Sequence, residues 1–214
     1  MDAMPAQKSP PENRKEPKPS AKREAVFLNI PYDERFENLL LAYIAGISAF
    51  GFSPRATLEI PFSQRRLERI ISLIASSQYS VHDLSRVQLD RAKPRTPRFN
   101  MPFELGLTVG IGKRGWIVCE TVPHRIKKSL SDLDGTDVYI HGGTVQGVFR
   151  ELCNAFVRNR RQPSVVEMTQ IYRILRSNLA GILRKAGARD PFNARVFINL
   201  CVLASAAADE LVIG

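Results

Sequence analysis

The chain is most informative first in what it lacks. None of its 214 residues belongs to an apolar run near the roughly 20 residues that cross a bilayer. The best candidate, residues 196–208, is too short and is interrupted by Asn199 and Ser205. The N-terminus is polar and Pro-rich rather than apolar, so no secretory leader is read there and a cytoplasmic protein is expected. Cysteine is scarce. Cys119, Cys153 and Cys201 are widely spaced, odd in number and form no CxxC, which argues against a disulfide framework or a zinc site. All three read as small core residues. His82, His124 and His141 are scattered and make no metal set, and nothing calls for a cofactor. Gly106, Gly110 and Gly112 do not form GxGxxG; they sit within a helical pattern and read as allowing close packing on a sheet.

What is present is an ordinary globular composition, 44% hydrophobic and 24% charged, with a formal net charge of +10. Such a charge attracts anions. Residues 1–24 hold six Lys/Arg against four Asp/Glu and almost no large apolar side chain, the signature of a disordered tail. Residues 85–99 are different. Arg86, Arg91, Lys93, Arg95 and Arg98 stand against Asp90 alone, and prolines at 94 and 97 make the segment a basic loop.

From Ala25 the pattern alternates. Short apolar runs at 25–30, 52–60, 78–84, 116–119 and 137–140 read as strands. Helical spacing marks 35–50, a segment capped by Ser63, 100–113 with Asn100 as cap and Pro102 in the first turn, 123–130, and 144–161. Strand–helix alternation of this kind predicts an α/β fold: a doubly wound, five-stranded parallel sheet of flavodoxin-like order 2-1-3-4-5. This unit spans 25–162. Helices at 165–186 and 192–211 form a C-terminal helical extension, 163–214. The last is apolar nearly all round and should be buried on the sheet unit, on its neighbour or on a second subunit.

In an open α/β sheet, ligands bind beyond the carboxyl ends of the strands. That rule gathers Asn29, Tyr32 and Asp33 after strand one, Glu59 after strand two, Asp83, Ser85 and Arg86 after strand three, Glu120 after strand four, and Asn100 and Glu104 at the start of the helix that follows the basic loop. Carboxylates, a Tyr and a Ser converging on arginines suit a sugar or phosphate. Glu104 reads as a first-turn residue. Helix dipoles favour acidic residues there, and the same dipole would keep the carboxylate ionised. Gly142-Gly143 before a helix could form an anion-binding nest.

The order of these pieces resembles a known superfamily. AVFLNIPYDERF opens the unit, SVHDLS ends the third strand, and FNMPFELGLTVGIGK leads into WIVC. Glu104-Leu105-Gly106 and Gly112-Lys113 resemble the ELG-x-A-x-x-x-GK segment of nucleoside 2-deoxyribosyltransferases. Phe27, Tyr32 and Asp33 are similar to the first-strand pattern of TIR domains. The resemblance covers about 25–161. It implies that Glu104 is a catalytic carboxylate attacking or stabilising an anomeric carbon, that Asp83 and Ser85 hold sugar or base, and that Tyr32 and Asp33 lie near the ligand. Where the deoxyribosyltransferases carry an Asp six residues before their Glu, this chain has Arg98. The expectation is an N-glycosidase-type enzyme acting on a nucleotide, NAD or a deoxynucleoside. Asn29 and Asn100 would lie beside the ligand, and Arg86, Arg95 or Arg98 would hold phosphate. The alternative is a non-catalytic TIR-like nucleotide-sensing or assembly module, oligomeric through its C-terminal helices. Nucleic-acid binding through the basic loop ranks last, because only Phe99 offers an aromatic face nearby. No membrane partner is expected.

Overall fold

A computed structural model describes residues 23–61, 65–86 and 99–213. Most of the 1–24 tail and most of the basic loop, including Arg91, Lys93, Arg95 and Arg98, lie outside the described residues, as does Ser63.

Five parallel strands form one sheet in the order β2-β1-β3-β4-β5: β1 Ala25–Asn29, β2 Ser53–Ala56, β3 Tyr79–Asp83, β4 Trp116–Glu120 and β5 Val138–Ile140. Central strands of a parallel sheet are covered on both faces and read as unbroken apolar runs. Accordingly Val26, Phe27 and Leu28 are all fully buried. Register pairs Leu28 with Ala56 on one side and Val81 on the other, and Asp83 with Cys119.

Alternation along the strands assigns each residue to a face. Val26, Leu28, Val81, Ile117 and Cys119 point to α1 (Glu37–Ala49) and α5 (Val145–Ala155). Phe27 points to α2 (Arg66–Ser76), and Val118 packs with Leu105 of α3 (Asn100–Gly110) and Ile126 of α4 (Arg125–Ser129). The α1 helix is buried from Leu39 to Ala49 because it is covered twice. The sheet lies on one side, and α6 (Val165–Ala186) and α7 (Ala194–Ile213) lie on the other. The C-terminal helices therefore pack on the α/β unit and on each other, in the same hydrophobic cluster. Among the described residues, no helix is long and apolar enough to cross a membrane.

Three local readings are corrected. The apolar run 52–60 is a strand only to Ala56, and Thr57–Glu59 is a 3-10 turn. There the Glu59 carboxylate accepts the Ala56 N–H at 2.9 Å, diverting the chain from the sheet. The helix after the basic loop starts one residue early: Phe103 N–H donates to Phe99 O at 2.9 Å, so Phe99 is the cap and Asn100 the first helical residue. Glu104 is thus the fifth residue of α3, past the first turn. Finally, a Cβ added at Gly106, Gly110 or Gly112 would meet open space, so these glycines do not mediate close packing. Gly112 instead takes a positive φ of 75° just beyond the helix end, a conformation that suits glycine.

Candidate functional site

The carboxyl ends of the strands carry two polar clusters on opposite faces of the sheet. The first surrounds Glu104. Its residue is only 8% exposed, buried on the face covered by α2 and α3. Burial raises its carboxyl from the ordinary range to about 7, opposed by the positive charge of Arg66. Desolvation of the charged form therefore outweighs the dipole effect anticipated from sequence, and the carboxyl is shared between protonated and ionised forms near neutrality.

Tyr32, on the β1–α1 connection, is the second member. Its hydroxyl shares a 3.0 Å hydrogen bond with Thr57 Oγ1. Burial, with a further contribution from the Glu104 charge, holds the phenol well above its usual range. Arg66 opens α2 and stitches the preceding turn, donating to the carbonyls of Ile60, Pro61 and Thr57. Asn29 lies beneath the α3 start. Its Nδ2 donates to Met101 O at 2.8 Å and lies 2.9 Å from His82 Nδ1. His82 is fully buried, and its pKa falls to about 3, so the ring is neutral and accepts from Asn29. This arrangement ties the first turn of α3 to β1 and β3, and Glu104 follows in the next turn.

The second cluster surrounds Asp83 on the α1 face. Asp83 Oδ2 accepts from Tyr43 at 2.8 Å and lies 3.0 Å from His141 Nε2, while Oδ1 accepts the Ser85 N–H at 2.9 Å. Gly143 N–H donates to His141 Nδ1 at 3.0 Å, which leaves the proton of a neutral ring on Nε2, facing Asp83. That N–H is consequently committed inside the protein rather than to an anion nest. Ser85 Oγ lies 3.2 Å from the same His141 Nε2. Next to it, Arg125 binds the fully buried Glu120 carboxylate and donates to Ser85 O at 2.7 Å. The network knots the ends of β3, β4 and β5 together.

The anticipated residues are thus divided. Glu104, Tyr32 and Asn29 belong to the first cluster. Asp83 and Ser85 belong to the second, with their polar groups engaged by the protein's own partners. Asp33 and Arg86 pair at 3.2 Å, linking the loops after β1 and β3. Asn100 is exposed at the α3 start, and Glu59 is held by Arg55 at 2.9 Å. Arg98 lies outside the described residues.

No family model, curated protein or solved structure matches this chain.

Thr57, Arg66, Tyr43, His141 and Phe192 were not anticipated. His141 had a usable signal, since it directly follows strand five at the functional rim and precedes two glycines. Arg66 and Thr57 carried none beyond their place after strand two. Phe192 belongs to the C-terminal extension, yet its ring centroid lies 5.9 Å from that of Tyr32.

Proposed function

We propose that the chain is an N-glycosidase-type enzyme that cleaves or transfers the N-glycosidic bond of a nucleotide, NAD or a deoxynucleoside, with Glu104 as the reacting carboxylate. The observation that carries this reading is a nearly buried carboxyl, raised to about 7, beside a tyrosine and an arginine at the carboxyl ends of the strands. A group poised near the working pH is what acid–base and nucleophilic chemistry use. In its ionised form a Glu104 oxygen bonds to C1′ as the C1′–N bond breaks, and the electron pair leaves with the base; the base of a nucleotide or deoxynucleoside takes a proton from solvent, whereas the cationic nicotinamide of NAD leaves neutral without one. Water then attacks C1′, releases its proton and regenerates the carboxylate. Arg66 favours the ionised state. The basic loop favours phosphorylated over neutral ligands by charge.

The test is incubation of the pure protein with NAD, deoxynucleotides and deoxynucleosides, with chromatography of the released base. Release is expected to rise with pH through about 7 as Glu104 ionises, and E104Q is expected to lose it by about 10²–10⁴-fold. Release from E104Q equal to wild type, or none from wild type, sinks the reading.

One observation favours the assembly alternative. Along α7, Ile198 and Val202 are 46% and 64% exposed, an apolar stripe facing away from the core. Nucleotide binding without turnover, together with a ligand-dependent increase in mass by light scattering, would establish that reading instead.

A further inference from the structure

The connection between α6 and α7 is held in a defined shape. Gly187 ends α6 in the left-handed conformation, with its N–H on Arg184 O at 3.2 Å. Asp190 Oδ1 accepts the Phe192 N–H at 3.0 Å, and Asn193 Oδ1 accepts the Arg195 N–H at 2.9 Å. Phe192 is pinned between these two side-chain-to-backbone turns, each of a type that fixes local chain direction. Its ring is tilted 41° to Tyr32, and both rings pack against the main core cluster. The hydroxyl end of Tyr32 is tied to Thr57, and α7 packs on the Thr57–Glu59 turn. Tyr32 is therefore gripped at both ends: by the turn after β2 at its hydroxyl and by the C-terminal extension at its ring.

We propose that Phe192 is a positioning residue for the Glu104 site, pressing Tyr32 into place and keeping water from behind its ring. The inference rests on the glycosidase reading for its use in catalysis, but its physical content is separate. Among the described residues, the charged and titratable groups that act on Glu104 or Tyr32 are Arg66 from α2 and these two residues themselves. Arg66 favours the ionised carboxylate, so exclusion of water is what holds Glu104 up. A ring removed from behind Tyr32 leaves space for water, and hydration stabilises the ionised form.

The experiment is ¹³C NMR titration of glutamate-labelled full-length protein as wild type, Phe192→Ala and Phe192→Leu, with E104Q identifying the Glu104 signal. Wild-type Glu104 is expected to titrate near 7. In Phe192→Ala the midpoint should fall by about one pH unit or more, and in Phe192→Leu by less, since leucine fills part of the space. The pH at which base release rises should move down by the same amount. A Phe192→Ala midpoint unchanged within about 0.3 of a pH unit, a span worth only about 0.4 kcal/mol, overturns the proposal. If Phe192→Ala does not fold, the leucine variant decides by the same criterion. A shifted midpoint in a protein that releases no base leaves the positioning role standing and removes the glycosidase reading. Base release that depends on Glu104 but is indifferent to Phe192 does the reverse.

Discussion

At neutral pH the Glu104 carboxyl is held in a place that suits its neutral form, and that preference acts on folding as well as chemistry. The folded pKa is about 7 against an ordinary 4.5. A raised acid binds its proton more tightly in the native state. Its stabilising contribution is therefore complete below about 4.5 and is lost as pH rises through about 7. At about 1.4 kcal/mol per pH unit, the loss approaches roughly 3 kcal/mol. Glutamine imitates the neutral acid and does not ionise. E104Q should therefore match wild type in denaturant unfolding at pH 4 and exceed it by up to about 3 kcal/mol at pH 8, while base release is lost. His82 acts oppositely, since a depressed imidazole costs stability as pH falls from 6.5 toward 3, but it is common to both proteins and cancels from the comparison. Equal stability at pH 8 would mean that Glu104 is well solvated. The sequence marked Glu104 as the first residue of an ELG segment that follows a polar strand end and a basic loop. It could not show the charge state, because that follows from Tyr32, Arg66 and the α2–α3 cover, all distant in the chain.

Among the secondary elements, those with strong periodicity were readable, and α6 occupies the residues expected of it, with Ser164 and Glu167 forming a reciprocal cap at its start. The strand order was also readable, because right-handed crossovers leave few alternatives. The β2 boundary was not, because an apolar run looks the same whether it continues extended or turns at Thr57. Glycine roles were misplaced for a related reason: contact partners decide them, not helical pattern. An added Cβ at Gly46 would stand 2.4 Å from Leu152 Cδ1, and one at Gly147 would stand 1.8 Å from His141 O. A leucine tip can move, whereas the carbonyl belongs to the knot that holds Asp83. Gly147→Ala should therefore cost more than about 3 kcal/mol and Gly46→Ala about 1–2 kcal/mol. Gly106→Ala, on an open helical surface, should gain about 0.5–1 kcal/mol. Thermal or urea unfolding of the three variants checks this order, and a destabilised Gly106→Ala would show that something covers that face of α3.

For the molecule as a whole, the question is whether the α6–α7 extension is separable from the 25–162 unit. The fold places α1 between the sheet and the extension, so α1 has no solvent face to expose. Met168, Ile171, Leu175 and Leu179 of α6 and Val196, Phe197 and Leu200 of α7 are buried in the same cluster as Leu40, Leu41 and Ile44. Met168 Sδ lies 3.6 Å from the position a Cβ would take on Gly46, and Tyr172 packs edge-on to Phe149 of α5. A chain ending at Gln162 would still contain every residue of the α/β unit but would leave the outer face of α1 in water. Uncovering two or three large apolar side chains costs about 1.5–3 kcal/mol each, which is comparable to the 5–15 kcal/mol that holds a typical domain together. The truncated chain is therefore expected to lack a cooperative unfolding transition and to bind hydrophobic dye, in circular dichroism and fluorescence measurements on residues 1–162. A cooperative transition within about 1 kcal/mol of full length would make the extension an independent module. Because the same deletion removes Phe192, the extension joins stability to the candidate site: the segment whose helices complete the core also carries, in the connection between them, the ring that packs against Tyr32.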